Sequence, residues 1–260
     1  MPEWIYLLSD DTIIVLVTMI VVGLTVAGLC IGRFLLRVRL GRDTADSLSN
    51  AYRLIVTLAA LVLAFSLVQA QTNLRDAQST LRREASAIDA ADRKLRQIGT
   101  PAAAVLRAHL LAYGHAVLQD EWPIMAQQGF DRNVDDLYDT LLHASQVAVS
   151  QAPSAEQSAY AEAIREINTL DDYRDARVTA ATVRLPRAFW RVIEALVLFS
   201  IVIAATIPWT VPHTISTILT SAALAVLVAL TIIVDVPFEG ETAAQPIELR
   251  YVLGQMAQRH

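Results

Sequence analysis

An all-α membrane protein is predicted, on three observations. Apolar residues make up 54% of the 260 residues and gather into two blocks that flank a polar one, at a mean hydropathy of +0.42. Residues 51–98 contain neither Gly nor Pro, yet the stretch turns from wholly apolar to charged halfway along. Strand-like alternation and tight hairpin dipeptides are missing. The expected fold is four transmembrane helices plus an extramembrane helical bundle inserted between spans two and three, with span two continuing as a long helix into the bundle. A helical bundle satisfies every backbone polar group within its own segment, as lipid demands.

The first span is residues 12–36, with Arg33 near enough to its end to snorkel. Its apolar stretch is too long for a cleavable signal peptide. Glu3, Asp10 and Asp11 also stand where such a leader needs positive charge, so a retained helix is expected. Gly28 and Gly32 form a small-xxx-small pair that admits a second backbone, either within one protomer or between subunits. Cys30 is the only cysteine, which excludes a disulfide within the chain.

Span two is built on residues 54–68, which carry no charge and with their flanks approach the ~20 residues needed to cross the hydrocarbon. Leu67, Leu74, Leu81, Ile88 and Leu95 recur every seven residues, with Ala70, Ala77, Ala91 and Ile98 between them, so one apolar stripe should face a partner helix. Ser66, Gln69, Asn73, Asp76, Thr80 and Arg83 make a polar stripe about 100° around the same helix. Polar groups at membrane depth are costly unless they face protein or water, which makes Ser66, Gln69, Asn73 and Asp76 the pore-lining candidates. If copies of span two surround an axis, the leucine seam holds the assembly and the polar stripe lines a path. The alternative is that the stripe from Asn73 onward lies outside the membrane.

The polar block, 71–186, reads as helical throughout. Thr100 can cap a helix that Pro101 starts, with Val105, Leu106, His109, Leu110, Tyr113 and Val117 on one face. Trp122-Pro123 interrupts it. A helix over 131–149 turns Val134, Leu137, Leu141 and Leu142 inward, and another runs from beyond Pro153-Ser154 towards Arg184. The block holds 12 basic and 16 acidic residues, net about −4, without a basic patch interleaved with aromatics, so nucleic acid is not an expected partner.

Spans three and four are residues 187–208 and 214–234, separated by a turn at 208–212. Trp190 and Trp209 bracket span three as an aromatic belt would. Arg191 and Glu194, one turn apart, are an interfacial charge pair, either an anchor or a gate. Thr214, Thr217, Thr220 and Ser221 give span four a polar row that its own backbone can satisfy. Pro237 stops that helix and Gly240 permits a turn, leaving Asp235 at the bilayer edge within reach of Arg187 or Arg184. Residues 247–253 read as a short amphipathic helix. The expected divisions are 1–70 for spans one and two, 71–186 for the bundle, 187–234 for spans three and four, and 235–260 for the tail.

Catalytic chemistry is not legible. There is no His-Glu-x-x-His, phosphate loop or Gly-x-Ser-x-Gly elbow. Asp139 and His143 at i, i+4 read as a surface pair rather than metal ligands, and the acidic runs 131–139 and 171–175 read as solvated faces. No enzyme activity, catalytic residue, metal or cofactor is expected.

Sidedness rests on arginines. Arg33, Arg37, Arg39, Arg42 and Arg53 lie between spans one and two, while no Lys or Arg precedes span one. The positive-inside rule then puts that connection in the cytoplasm and the helical domain on the outer, periplasmic side of a bacterial inner membrane. Arg75, Arg82, Arg83, Arg177, Arg184 and Arg187 around the domain argue the other way.

Several short segments carry a resemblance. They are Leu61-Val62-Leu63-Ala64-Phe65-Ser66, Arg83-Glu84-Ala85, Glu121-Trp122-Pro123-Ile124-Met125, Leu185-Pro186-Arg187-Ala188-Phe189-Trp190 and Asp235-Val236-Pro237-Phe238-Glu239-Gly240. Their order resembles that of the bacterial bestrophin-like domain family of four-pass membrane proteins. Glu84, Trp122, Pro123, Pro186, Trp190, Asp235, Pro237, Phe238 and Gly240 are the matching motif residues. By fold analogy the resemblance implies a comparison with bestrophin anion channels, which are oligomers whose helical domain is cytoplasmic. The function expected is an oligomeric ion channel or channel-like permeation protein in the lipid bilayer, a homo-oligomer passing an inorganic ion. The alternative is a non-conducting scaffold or sensor whose bundle binds an envelope partner or ligand.

Overall fold

A computed structural model describes residues 8–36, 42–125, 129–206 and 210–259. Glu3, Arg37, Arg39 and Trp209 lie outside them, as does Pro208 of the expected turn after span three, and the side chain of Arg42 is likewise outside the description. The described chain is all helical: α1 (Asp10–Ile31), α2 (Arg42–Ile98), α3 (Pro101–Ala116), α4 (Trp122–Met125), α5 (Arg132–Gln151), α6 (Gln157–Thr182), α7 (Arg187–Thr206), α8 (Val211–Val234) and α9 (Ile247–Gln258), with π-helical turns at Gly32–Leu36 and Val117–Glu121. Among the described residues, four helices are long and apolar enough to cross a membrane.

The long helix is longer than the sequence reading. It spans 57 residues because the nine residues before Ala51 also lack a breaker, and its C-terminal end falls at Gly99, whose φ of 69° a side chain would resist. Gly99 N–H donates to the Leu95 carbonyl at 3.3 Å, closing the last turn.

The chain divides into two compact units. One comprises Met1–Asn73 and Arg184–Ala243 and holds the spans. Ser9 caps α1, accepting from Thr12 N–H, and Asp10 and Asp11 in the first turn face the positive end of the helix dipole. Their acidity therefore serves helix initiation. α1 packs on α7 and α8, and Ala59 and Leu63 of α2 pack with Ile193 of α7 and Leu224 of α8. Large apolar side chains point outward, with Phe34 74%, Met19 67%, Leu219 65% and Phe65 64% exposed. The buried positions include Thr25, Ser66, Ser200, Thr217, Ser221 and Thr231. In water such a surface would aggregate; against lipid tails it costs nothing, and small residues inside let helices approach. Thr25, Ser200 and Thr231 donate to carbonyls of their own helices at 2.7–2.8 Å, so their hydroxyls need no outside partner.

Gly28 and Gly32 contact α7 within the protomer. A Cβ on Gly28 would sit 3.2 Å from Ile201 Cγ2, and one on Gly32 would collide with the Ala205 carbonyl.

The second unit comprises Leu74–Val183 and Ala244–His260. Its core joins the C-terminal half of α2 to α3, α5, α6 and α9. The seam read on α2 is the buried stripe here, with Ala77, Leu81, Ile88, Ala91 and Leu95 at 0–3% exposure. Its partners in this half are therefore helices of the same protomer, not copies of span two. Thr100 caps α3 as read, accepting from Ala103 N–H. Val105 is a correction: it is 53% exposed, and the buried row runs through Ala103, Leu106, Arg107, Leu110, Tyr113, Gly114 and Val117. Val105 stands one residue off that 3–4 spacing. Trp122-Pro123 does not end the helical run; the chain passes through the Val117–Glu121 π turn into α4. Val134 and Leu141 of α5 are buried as read, while Leu137 and Leu142 are only partly so and Tyr138 is missing from the reading. α9 docks on α3, where Leu253 lies over Gly114 closely enough that a Cβ there would meet its Cδ2 at 2.5 Å.

Candidate functional site

The polar stripe of α2 does not lie on one uniform surface. Gln69 and Asp76 are exposed, Asn73 is half-buried and Ser66 is fully buried. Ser66 Oγ donates to the Val62 carbonyl at 2.9 Å, on the edge of the face that carries Ala59 and Leu63. Ser66 is thus corrected out of the free face: at 100° per residue it falls closer to Leu63 than to Phe65. Gln69 Nε2 donates to Asn73 Oδ1 at 3.0 Å, linking the two amides along the exposed side. Just before them, Leu54, Leu58, Leu61, Phe65 and Val68 form a 4-3-4-3 row, 45–64% exposed, on the side of α2 away from Ala59 and Leu63. The free face of α2 is therefore apolar for about four turns and then amide- and carboxylate-bearing.

The motif residues converge on two clusters. In the spanning unit, Asp235 ends α8 and accepts the Leu185 N–H at 2.7 Å and the Trp190 indole N–H at 3.2 Å. These bonds tie the Leu185–Trp190 motif to the Asp235–Gly240 motif. Asp235 was expected to meet Arg187 or Arg184; its direct partners are instead a backbone amide and an indole, because it sits where the peptide preceding α7 has an unsatisfied N–H. Pro237 is buried, Pro186 exposed, Phe238 half-buried, and Gly240 adopts φ 90°. Arg191 and Glu194 are both exposed, and no ion pair between them occurs among the described residues.

In the helical unit Glu84 and Glu121, both in motif segments, meet at Arg177. The Arg177 side chain is fully buried; Nε reaches Glu84 Oε2 at 2.7 Å and Nη2 reaches Glu121 Oε2 at 2.6 Å. Arg174 binds Glu121 Oε1 at 2.5 Å and Asp135. Tyr113 donates its hydroxyl to Glu84 Oε1 at 3.1 Å. Burial alone would raise the Glu121 pKa, but hydrogen bonds and charge from Arg174 and Arg177 outweigh it and hold the carboxyl below its ordinary range. Burial drives the Tyr113 hydroxyl well above its usual pKa, with Glu84 adding to it, so it stays a donor. The π turn places Glu121 here: its wider winding advances the residue onto the inner face before Pro123.

Sequence reading missed this network, although it left a trace. Arg174 and Arg177 continue the buried 3-4 row of Tyr160, Ala163, Ile167 and Leu170 on α6, and Glu84 and Asp92 fall in the buried face of α2. Charges in register with an apolar stripe are the signal. Asp92, fully buried, takes the Arg107 Nε at 2.7 Å. Asp139 and His143 are exposed, and no group of three or more His, Cys, Asp or Glu able to hold a metal occurs among the described residues.

Apolar spans packed on hydroxyls and glycines, joined by one uninterrupted helix to a bundle with a charged core, define an all-helical integral membrane protein. The sequence model of the Bestrophin-like domain matches residues 19–249, and the chain belongs to that family. A bacterial bestrophin homologue from Klebsiella pneumoniae superposes with a TM-score of 0.72 at 13% identity, covering 95% of this chain and 99% of that one. A crystal structure of a membrane protein gives 0.72 at 12% identity over 94% and 97%, and a single-residue variant of the Klebsiella homologue gives 0.69 at 14% over 96% of each. No curated protein matches the sequence.

Proposed function

We propose that this chain is the subunit of a homo-oligomeric ion channel in which α2 lines the path. Bestrophin-like proteins are known as membrane anion channels rather than enzymes, and that supports the reading. The observation that carries it is the free face of α2. Ala59 and Leu63 are committed to α7 and α8, so Leu58, Leu61, Phe65, Gln69 and Asp76 face away from the protomer's own bundle. Around a shared axis that face gives an apolar constriction of the kind that gates by dewetting, followed by amides that hydrate an ion. Gln69, Asn73 and Asp76 are the lining residues at the wide end; Arg191 and Glu194 anchor the bilayer edge.

Purified protein in planar bilayers should pass current. Gln69→Leu or Asn73→Leu should lower it, and Phe65→Ala should raise the open fraction. Unaltered current in all three removes the pore assignment, and silence under every condition favours the scaffold reading. The arginines between spans one and two support a bacterial inner-membrane location with the helical unit periplasmic. A protease site inserted at residue 150 should then be cut from outside intact spheroplasts; protection there would reverse the orientation.

A further inference from the structure

Near the starts of α2's apolar stretch and of α8 lies a cavity of 380 Å³, within the range of small-ligand sites. Both walls belong to the spanning unit. From α2 come Ser49, Tyr52, Arg53, Val56 and Thr57, at i, i+3, i+4, i+7 and i+8. From α8 come His213, Ser216, Thr217 and Thr220, again one face. The lining holds hydroxyls, one guanidinium and one imidazole, and no acidic side chain.

Some of these groups are already engaged, whereas the Arg53 guanidinium and one His213 nitrogen are available. Tyr52 closes the floor by donating to the Thr217 carbonyl at 3.5 Å, and both residues are buried. Thr57 and Thr220 donate to carbonyls of their own helices. Arg53 is exposed at the mouth, with no ion pair among the described residues. His213 Nδ1 is engaged with Thr210 Oγ1 at 2.9 Å, which leaves Nε2 available. A guanidinium is a fork for two oxyanion oxygens, and Ser hydroxyls complete such a shell. Arg53 immediately precedes the uncharged 54–68 stretch, so the mouth stands at the hydrocarbon edge.

We infer that this cavity binds a phosphate group, with Arg53 as its charge partner and His213, Ser49 and Ser216 as further donors. The phosphate can come from a phospholipid headgroup, whose acyl chains would enter the adjoining hydrocarbon, or from free inorganic phosphate. The site is separate from the proposed path, and Arg53 is not a lining residue of it.

The test is thermal unfolding of the full chain in neutral detergent, with dioctanoyl phosphatidylglycerol or inorganic phosphate added and chloride at matched ionic strength as reference. Ligand at tenfold excess over its Kd should raise Tm by about 2–4 °C. A rise with the lipid alone assigns the headgroup source; a rise with inorganic phosphate that the lipid does not increase assigns the free anion. Arg53→Gln should abolish either rise. Ser216→Leu, which removes one hydroxyl donor and narrows the mouth without touching a charge, should do the same. No rise with either probe, or an undiminished rise in both variants, overturns the site.

Discussion

The two units bury opposite things. The spanning unit hides hydroxyls and alanines, packs Gly28 and Gly32 against α7, and shows lipid much of its Leu, Phe, Val and Met. The helical unit hides Arg177, Glu84, Glu121, Arg174 and Asp92 beneath an ordinary polar surface. The difference follows from what each surrounding solvent rewards. Lipid gives no hydrophobic drive between helices, so close backbone approach holds the spans together. Water gives that drive to the bundle, whose core tolerates charge only where every charge has a partner. Motif residues sit at both kinds of junction: Asp235 on backbone and indole N–H groups, Glu84 and Glu121 on Arg177.

The contrast can be broken most severely at Arg177. Arg177→Met leaves Glu84 and Glu121 buried without their shared cation and should cost about 3–5 kcal/mol. Limited proteolysis should then degrade the helical unit while the spans stay membrane-embedded. A loss below about 1 kcal/mol would mean that the charges are solvated and the network adds little. In the spanning unit the corresponding injury is steric. Gly32→Ala places a methyl into the Ala205 carbonyl and should lower stability by about 1–3 kcal/mol, read as Tm in detergent, with the bundle's protease resistance intact.

Acid sharpens the comparison further. The Glu121 pKa is lower folded than unfolded, so its stabilisation is complete above its ordinary value of 4.5 and fades as pH falls through the lower folded value. Tm measured from pH 7 to 3 should drop below about pH 4.5, and Glu121→Gln should flatten that drop while lowering the plateau. The smallest effect is expected at Arg191→Gln. Exposed and without an ion pair to Glu194, it should change stability by less than about 0.5 kcal/mol in detergent.

How much the sequence discloses follows the same division. The four spans, the long α2 and the Thr100 cap are legible because they depend on local signals: apolar runs, absence of breakers, and a hydroxyl before Pro101. The contact of Gly28 and Gly32 with α7 is not fixed by sequence, since a small-residue pair states only that something approaches, from the same protomer or another. Ser66 shares the 3-4 spacing of the free stripe yet is buried, because that spacing alone does not fix which edge of a stripe is covered. Glu121 was invisible for a different reason. A π turn shifts the phase of the helix by one residue, and no single-sequence periodicity carries across it.

The claim on which the functional reading rests is that the free face of α2 borders the ion path. It is tested most directly by charged thiol reagent applied to currents in a Cys30→Ala background. Gln69→Cys channels should be modified and their current altered within the exposure, whereas Leu198→Cys, on the exposed side of α7, should be unaffected. Equal insensitivity at both positions, with conduction present, would contradict the placement of α2 at the path.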